Sequence, residues 1–358
     1  MADALEQLTT RLADCTALDA LQLLLAWDQR TTMPPAGFMH RAGHLALLER
    51  LGHDKLTDPE IGRLIDELEP RLDSLDPDSW DAAIIRTARR DYNKAIQVPT
   101  ALRAEMVQAA SESAPVWLEA KATSNFDIFL PLLERNVELR HRYVECFEAQ
   151  EEPYDILLDD FEPEMKTAEV ARIFDEIKPE LVRLIADLRD REVDDSFLRG
   201  DFPIDEQIAL DNEVVDMFGH RPNSWRIDPT EHPFAAGAGV DDIRITTHYY
   251  REELKSLFST MHEYGHGLYG HQLPRDYAHL PVGQHTSLGI HESQSRLWEN
   301  LVGRGLPFWR FFFPRLQARF PEQFGGIDVE RFYAAWRDSV EGKSPVGPHG
   351  MIRGLETR

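Results

Sequence analysis

Residues 262–266 read His-Glu-Tyr-Gly-His, a spacing that can hold a metal ion. On a helix, residues four apart share a face, so His262 and His266 can each offer a ring nitrogen to one cation. Leu254, Leu257, Phe258 and Met261 precede them at helical spacing, the mark of a buried helix. Glu263 stands beside the ion but is too angled to bind it. There it can take a proton from water that attacks a carbonyl, because a metal lowers the pKa of water from ~15.7 to about 7 and a carboxylate then suffices as base. The expected chemistry is that of a zinc-type metallopeptidase.

The third ligand decides the subclass. Tyr269 and Gln272 occupy the positions where the longer His-Glu-x-x-His-x-x-Gly-x-x-His pattern needs Gly and His, and Gly270 and His271 are each one position off. The better candidate is Glu292, on a second predicted helix beginning near Leu288. Two histidines and one glutamate leave a fourth position open for water, as a catalytic site requires. His291 is its rival, about 100° round the same helix. Glu299, two turns beyond Glu292, is placed to accept a hydrogen bond from a ligand histidine.

Helical periodicity dominates the elements that must position these residues. Leu5, Leu8 and Leu12 recur at spacings of three and four, as do Leu18, Leu21 and Leu25, until Pro34-Pro35 stops the pattern. Further helices are predicted over 38–52, 58–72, 79–96, 100–122, 127–150, 167–190 and 204–218, separated by Asp58-Pro59, Asp76-Pro77, Pro99 and Glu152-Pro153. The segment 242–250 alternates β-branched and aromatic residues and predicts a strand directly before the metal helix. The fold class expected is mainly α, with a small β-sheet next to the metal-binding helix. No repeat or long linker divides the chain, so one domain is expected over 1–358, its helical part in 1–240 and its strand and metal-site helices in 241–340.

A formal charge of −24 would repel nucleic-acid backbones and anionic membranes, so neither is an expected partner. Hydrophobic residues make up 42% of the chain, enough for a substantial core. Cys15 and Cys146 are too few for a disulfide framework and fit a reducing compartment. No signal peptide or membrane-spanning run is evident, and a cytoplasmic location is expected.

With these residues in place, the chain resembles the carboxypeptidase Taq family. The resemblance rests on Trp27-Asp28-Gln29 with Met33-Pro34, the stretch from Tyr154 to Pro163, His232-Pro233-Phe234, Asp242-x-Arg244-x-Thr246, and His291-Glu292-Ser293-Gln294 continuing to Asn300. It implies a large helical peptidase fold with a deep groove and Glu292 as third ligand. It also implies zinc, with cobalt as an alternative, a cytosolic homodimer, and release of C-terminal residues from peptide substrates with broad side-chain tolerance.

The sequence departs from the family pattern after Trp336. There Ile-Arg-x-x-Ala-Asp and then Gly-x-x-Gln-Asp-x-His-Trp are expected, whereas Ile352-Arg353 is followed by Gly-Leu-Glu-Thr-Arg. The expectation is a C-terminally shortened domain with metal ligands and base complete and the substrate site affected. Arg353 and Arg244 are the candidate anchors for a substrate carboxylate, although Arg244 has a simpler reading as the partner of Asp242. His248, His271, His279 and His285 could line a groove, but each reads more simply as a surface or satisfied histidine. Tyr249, Tyr250 and Tyr264 read as packing, the aromatic run 308–313 as core or dimer interface, and the acidic run 155–164 as a helix-flanking signature. The alternatives to an active carboxypeptidase are an oligopeptidase on the same scaffold and an inactive or weakly active metal-binding remnant.

Overall fold

A computed structural model describes residues 3–188, 194–219 and 223–342. The helices are α1 (Ala4–Thr31), α2 (Phe38–Leu56), α3 (Pro59–Leu68), α4 (Trp80–Ala95), α5 (Thr100–Thr123), α6 (Leu130–Val144), α7 (Tyr154–Asp159), α8 (Thr167–Leu188) and α9 (Ile204–Met217). Strands β1 (Trp225–Pro229), β2 (Ala235–Gly239) and β3 (Asp242–Thr247) form a sheet in the order β1-β3-β2. Helices α10 (Lys255–His271), α11 (Leu288–Arg296), α12 (Leu306–Arg319), α13 (Pro321–Phe324) and α14 (Val329–Gly342) follow. The fold is mainly helical with one small sheet, as expected.

Local chemistry explains most of the boundaries. The Asp58 carboxylate accepts from Glu60 N at 2.9 Å and Pro59 occupies the first turn, so α3 starts where capping rules place it. It passes into a 3-10 turn at Glu69, because Pro70 has no amide hydrogen to continue the helix. Helix α6 stops at Val144 rather than running to 150. The amides of Cys146 and Phe147 turn back three residues, to the carbonyls of Tyr143 and Val144, and the Phe147 ring packs edge-on to Tyr143 at 5.1 Å. The expected strand ends at Thr247, where the Thr247 hydroxyl bonds the Ser256 carbonyl and the His248 ring turns to the Thr230 carbonyl.

The chain divides into two compact units. The first comprises Met1–Pro163, Ala236–Ile243 and Gly270–Thr286. Its core joins Leu8 and Leu12 of α1 to Ile61, Leu64 and Ile65 of α3 and Ile84 and Ile85 of α4. Leu21, from the second leucine stripe of α1, stays 49% exposed. One continuous helix advances 100° per residue, so a stripe thirteen positions on is rotated by about 220° and faces away from that core. The acidic run near 160 is tied down by cations of α4: Arg90 reaches Asp159 at 2.9 Å and Lys94 reaches Asp160 at 2.7 Å.

The second unit comprises Glu164–Ala235, Arg244–Tyr269 and Ser287–Arg358. Trp309, Phe312 and Phe313 of α12 are buried beside Phe324 and Phe332, while Phe311 stays 57% exposed. The aromatic run is thus chiefly core. Among the described residues no helix is long and apolar enough to cross a membrane. Cys15 is buried, Cys146 is half-buried, and both are free.

Candidate metal centre

Helix α10 is buried on almost every side, with Leu257, Phe258, Met261, Glu263, Tyr264, Gly265 and Gly267 all buried. Its polar residues are matched from α9. Ser256 Oγ donates to Gln207 Oε1 and Thr260 Oγ1 donates to Asp211 Oδ2, each at 3.0 Å. Tyr264 donates to the Phe218 carbonyl at 2.6 Å and packs against Trp225 and Trp298, so it is a packing residue. Helix α11 starts from Ser287, whose hydroxyl accepts from Ile290 N at 3.0 Å. It continues into a π-helical turn, Leu297–Val302, an irregularity that often marks functional sites.

These elements bring His262, His266 and Glu292 together. His266 Nε2 lies 3.1 Å from His262 Nε2. Glu292 Oε2 lies 3.3 Å from the first of these nitrogens and 3.6 Å from the second. Donors about 2.0–2.1 Å from a tetrahedral zinc stand about 3.3 Å from one another, so the triangle has the size such an ion needs. Two imidazole nitrogens and one carboxylate oxygen are also the donor set of a catalytic zinc site with an open position.

The outer contacts orient this triangle. His262 Nδ1 lies 2.9 Å from Glu299 Oε2, and Glu299 is only 4% exposed. Burial works to raise its carboxyl, but the bonds from His262 and Arg304 and the charge of Arg296 outweigh it and hold the group below the usual carboxylate range. An ionised Glu299 can only accept, so His262 donates from Nδ1, and when the ring is neutral the lone pair of Nε2 faces the triangle. Burial also opposes ionisation of Glu292, yet the bond to His266 and the charges of His262 and Arg296 carry it down to about 2. Glu263 is the opposite case. At 5% exposure its carboxyl is pushed up to about 7 by burial, with His262 pulling it down and Glu292 and Glu299 adding to the rise. Its Oε2 has no hydrogen-bond partner among the described residues.

His291 lies beside the triangle. Its ring is stacked on that of His266 at 4.3 Å and 15°, and the metal-capable cluster among the described residues contains Glu292. Asp242 and Arg244 are half-buried and two residues apart on β3. Arg353 lies outside the described residues. His271 turns its Nδ1 to the Val240 carbonyl at 2.6 Å and takes no part in the triangle. Three residues around the site were not singled out from the sequence: Arg296, Arg304 and Gly265. Arg296 was within reach of such a reading, being four residues from Glu292 and three from Glu299. Nothing local distinguishes the other two.

A family model described as "Carboxypeptidase Taq (M32) metallopeptidase" matches residues 7–343. The chain belongs to this family.

A metallopeptidase family implies a divalent metal ion, and the His262, His266 and Glu292 cluster is built to hold one. Among carboxypeptidase Taq relatives, the chain is similar to "Thermostable carboxypeptidase 1" of Thermus thermophilus, 39% identical over 330 residues. That match covers 89% of this chain and 64% of the relative. The chain thus spans somewhat under two thirds of that protein's length. Among solved structures it is similar to "BsuCP Crystal Structure", with a TM-score of 0.89 and 30% identity over 93% of this chain and 67% of that one. The M32 carboxypeptidase of Deinococcus radiodurans R1 matches with a TM-score of 0.81 and 33% identity, again over 93% and 67%.

Proposed function

We propose that this chain is a zinc-type metallocarboxypeptidase that hydrolyses the C-terminal bond of peptides. The observation that carries the reading is the triangle of His262, His266 and Glu292 donors, 3.1–3.6 Å on a side, with the buried carboxylate of Glu263 in the same helical turn. A bound cation supplies an electrophile that acidifies water and polarises the scissile carbonyl.

The rest falls to the protein's own groups. Glu263, shielded from solvent, accepts the proton of the attacking water and passes it to the leaving amine, as a general base and then acid. Glu299 keeps the Nδ1 proton on His262, so that Nε2 stays a donor to the metal. Asp242 and Arg244 are proposed to serve substrate binding, with Arg244 or Arg353 meeting the terminal carboxylate. Broad side-chain tolerance, zinc with cobalt as a substitute, a homodimeric state and a cytoplasmic location belong to the same proposal and are supported by the resemblance to the family.

The decisive experiment compares hydrolysis of peptides with free and with amidated C-termini, read by mass spectrometry in the presence of zinc or cobalt. Stepwise loss of single residues from free ends only is the expected result. Equal cleavage of amidated peptides would make the chain an oligopeptidase, and no cleavage of either would make it a metal-binding remnant.

A further inference from the structure

We infer that Arg296 is a positioning residue that makes Glu292 offer the metal a single oxygen and ties that ligand to Glu299. This rests on the reading of His262, His266 and Glu292 as the metal site. The guanidinium lies between two carboxylates. Its Nε donates to Glu292 Oε1 at 2.7 Å, and its Nη1 donates to Glu299 Oε2 at 3.0 Å. The first contact takes the oxygen of Glu292 that does not face the histidines. Oε2 is the one standing 3.3 and 3.6 Å from their Nε2 atoms. The second falls on the same Glu299 oxygen that holds His262 Nδ1. One side chain therefore fixes a ligand directly and a second ligand through its acceptor.

Two further contacts complete the arrangement. Ser295 Oγ donates to the Glu292 carbonyl at 2.6 Å and lies 3.2 Å from Glu292 Oε2. Arg304 Nη2 donates to Glu299 Oε1 at 2.6 Å. The Ser295 hydroxyl spends its shorter bond on backbone, so the hold on the Glu292 carboxylate is mainly that of Arg296. A carboxylate released from this hold can pivot and present both oxygens to a cation. A planar guanidinium can contact two carboxylates in fixed directions. A lysine ammonium, a point charge on a flexible stem, restores charge without that geometry.

An ordinary helix-face ion pair at this spacing would leave metal chemistry unchanged when broken, and this separates the two roles. The full chain, Arg296→Met and Arg296→Lys are compared by zinc competition with a chromophoric chelator, by visible absorption of the cobalt-loaded forms, and by thermal unfolding after metal removal. Arg296→Met is expected to bind zinc ~10- to 100-fold more weakly, the range for loss of an outer partner of a metal ligand. Its cobalt bands should weaken as the coordination number rises, with a fall in metal-free stability too small to account for the lost affinity. Arg296→Lys should recover part of the affinity and keep the altered spectrum, and it decides the matter if Arg296→Met does not fold. Wild-type zinc affinity and cobalt bands in both variants would overturn the inference, and so would loss of affinity that only follows a fall in metal-free stability. Failure of the wild-type chain to take up zinc or cobalt would instead overturn the metal-site reading beneath it.

Discussion

Gly265 and Ser295 meet backbone to backbone: a Cβ on Gly265 would lie 2.6 Å from Ser295 Cα and 2.5 Å from the Gln294 carbonyl oxygen. The contact falls one residue before His266 and three after Glu292, so it sets how closely the two ligand-bearing helices approach. A helical glycine costs about 1 kcal/mol relative to alanine, and here the close approach is what the glycine makes possible. Gly265→Ala must push α10 and α11 apart, because the obstructing atoms are backbone. A loss of about 1–3 kcal/mol in stability is expected, together with weaker metal retention. Thermal unfolding with and without a chelator measures both. Unchanged values would mean that this crossing does not set the triangle.

Glu292→Ala removes one donor of three and should leave purified protein with sharply reduced metal by elemental analysis. Retention at the wild-type level would transfer the ligand role to His291, whose ring already lies against His266, or to Glu299.

Glu263→Gln keeps the size and hydrogen-bonding reach of the side chain but cannot accept a proton. Metal content should stay at the wild-type level while hydrolysis falls by ~100- to 10,000-fold, the usual contribution of a positioned base. Substantial turnover on a peptide that the wild type cleaves would remove Glu263 from the reaction.

Asp211, fully buried against α10, accepts from Thr260 through Oδ2, while its Oδ1 has no hydrogen-bond partner among the described residues. Burial lifts its carboxyl from 3.8 to about 7, against the opposing bond from Thr260. Tyr249 is the titratable neighbour that feels its charge. Between about pH 4 and pH 7 the folded chain keeps this proton and the unfolded chain gives it up. Stability from this group therefore falls as pH rises through that window and levels off above it, at up to ~1.4 kcal/mol per pH unit. Asp211→Asn lacks this loss. Its melting temperature should gain on the wild type between pH 4 and pH 7.5, and a constant difference at every pH would refute the assignment.

The helix of His262, Glu263 and His266 was legible because side chains four apart share a face whatever surrounds them. A second helix from Leu288 bearing Glu292 and Glu299 was legible for the same reason, and so were most helix starts, where Asp58-Pro59 or Pro99 writes the boundary locally. Strand β2, Ala-Ala-Gly-Ala-Gly, was not: it has no side-chain alternation, and only its neighbour in the sheet makes it a strand. The second leucine stripe of α1 was legible as a helical face, but not that it turns away from the core of the first, leaving Leu21 exposed and Leu18 and Leu25 half-buried. Spacing favoured Glu292 over His291 as the proposed third ligand. Only the packing of α11 fixes where the two side chains stand: the His291 ring lies flat on His266, while Glu292 Oε2 lies 3.3 and 3.6 Å from the two histidine nitrogens. Periodicity states which residues share a face. The distance between two faces depends on what fits between them, and at this site that is the missing side chain of Gly265.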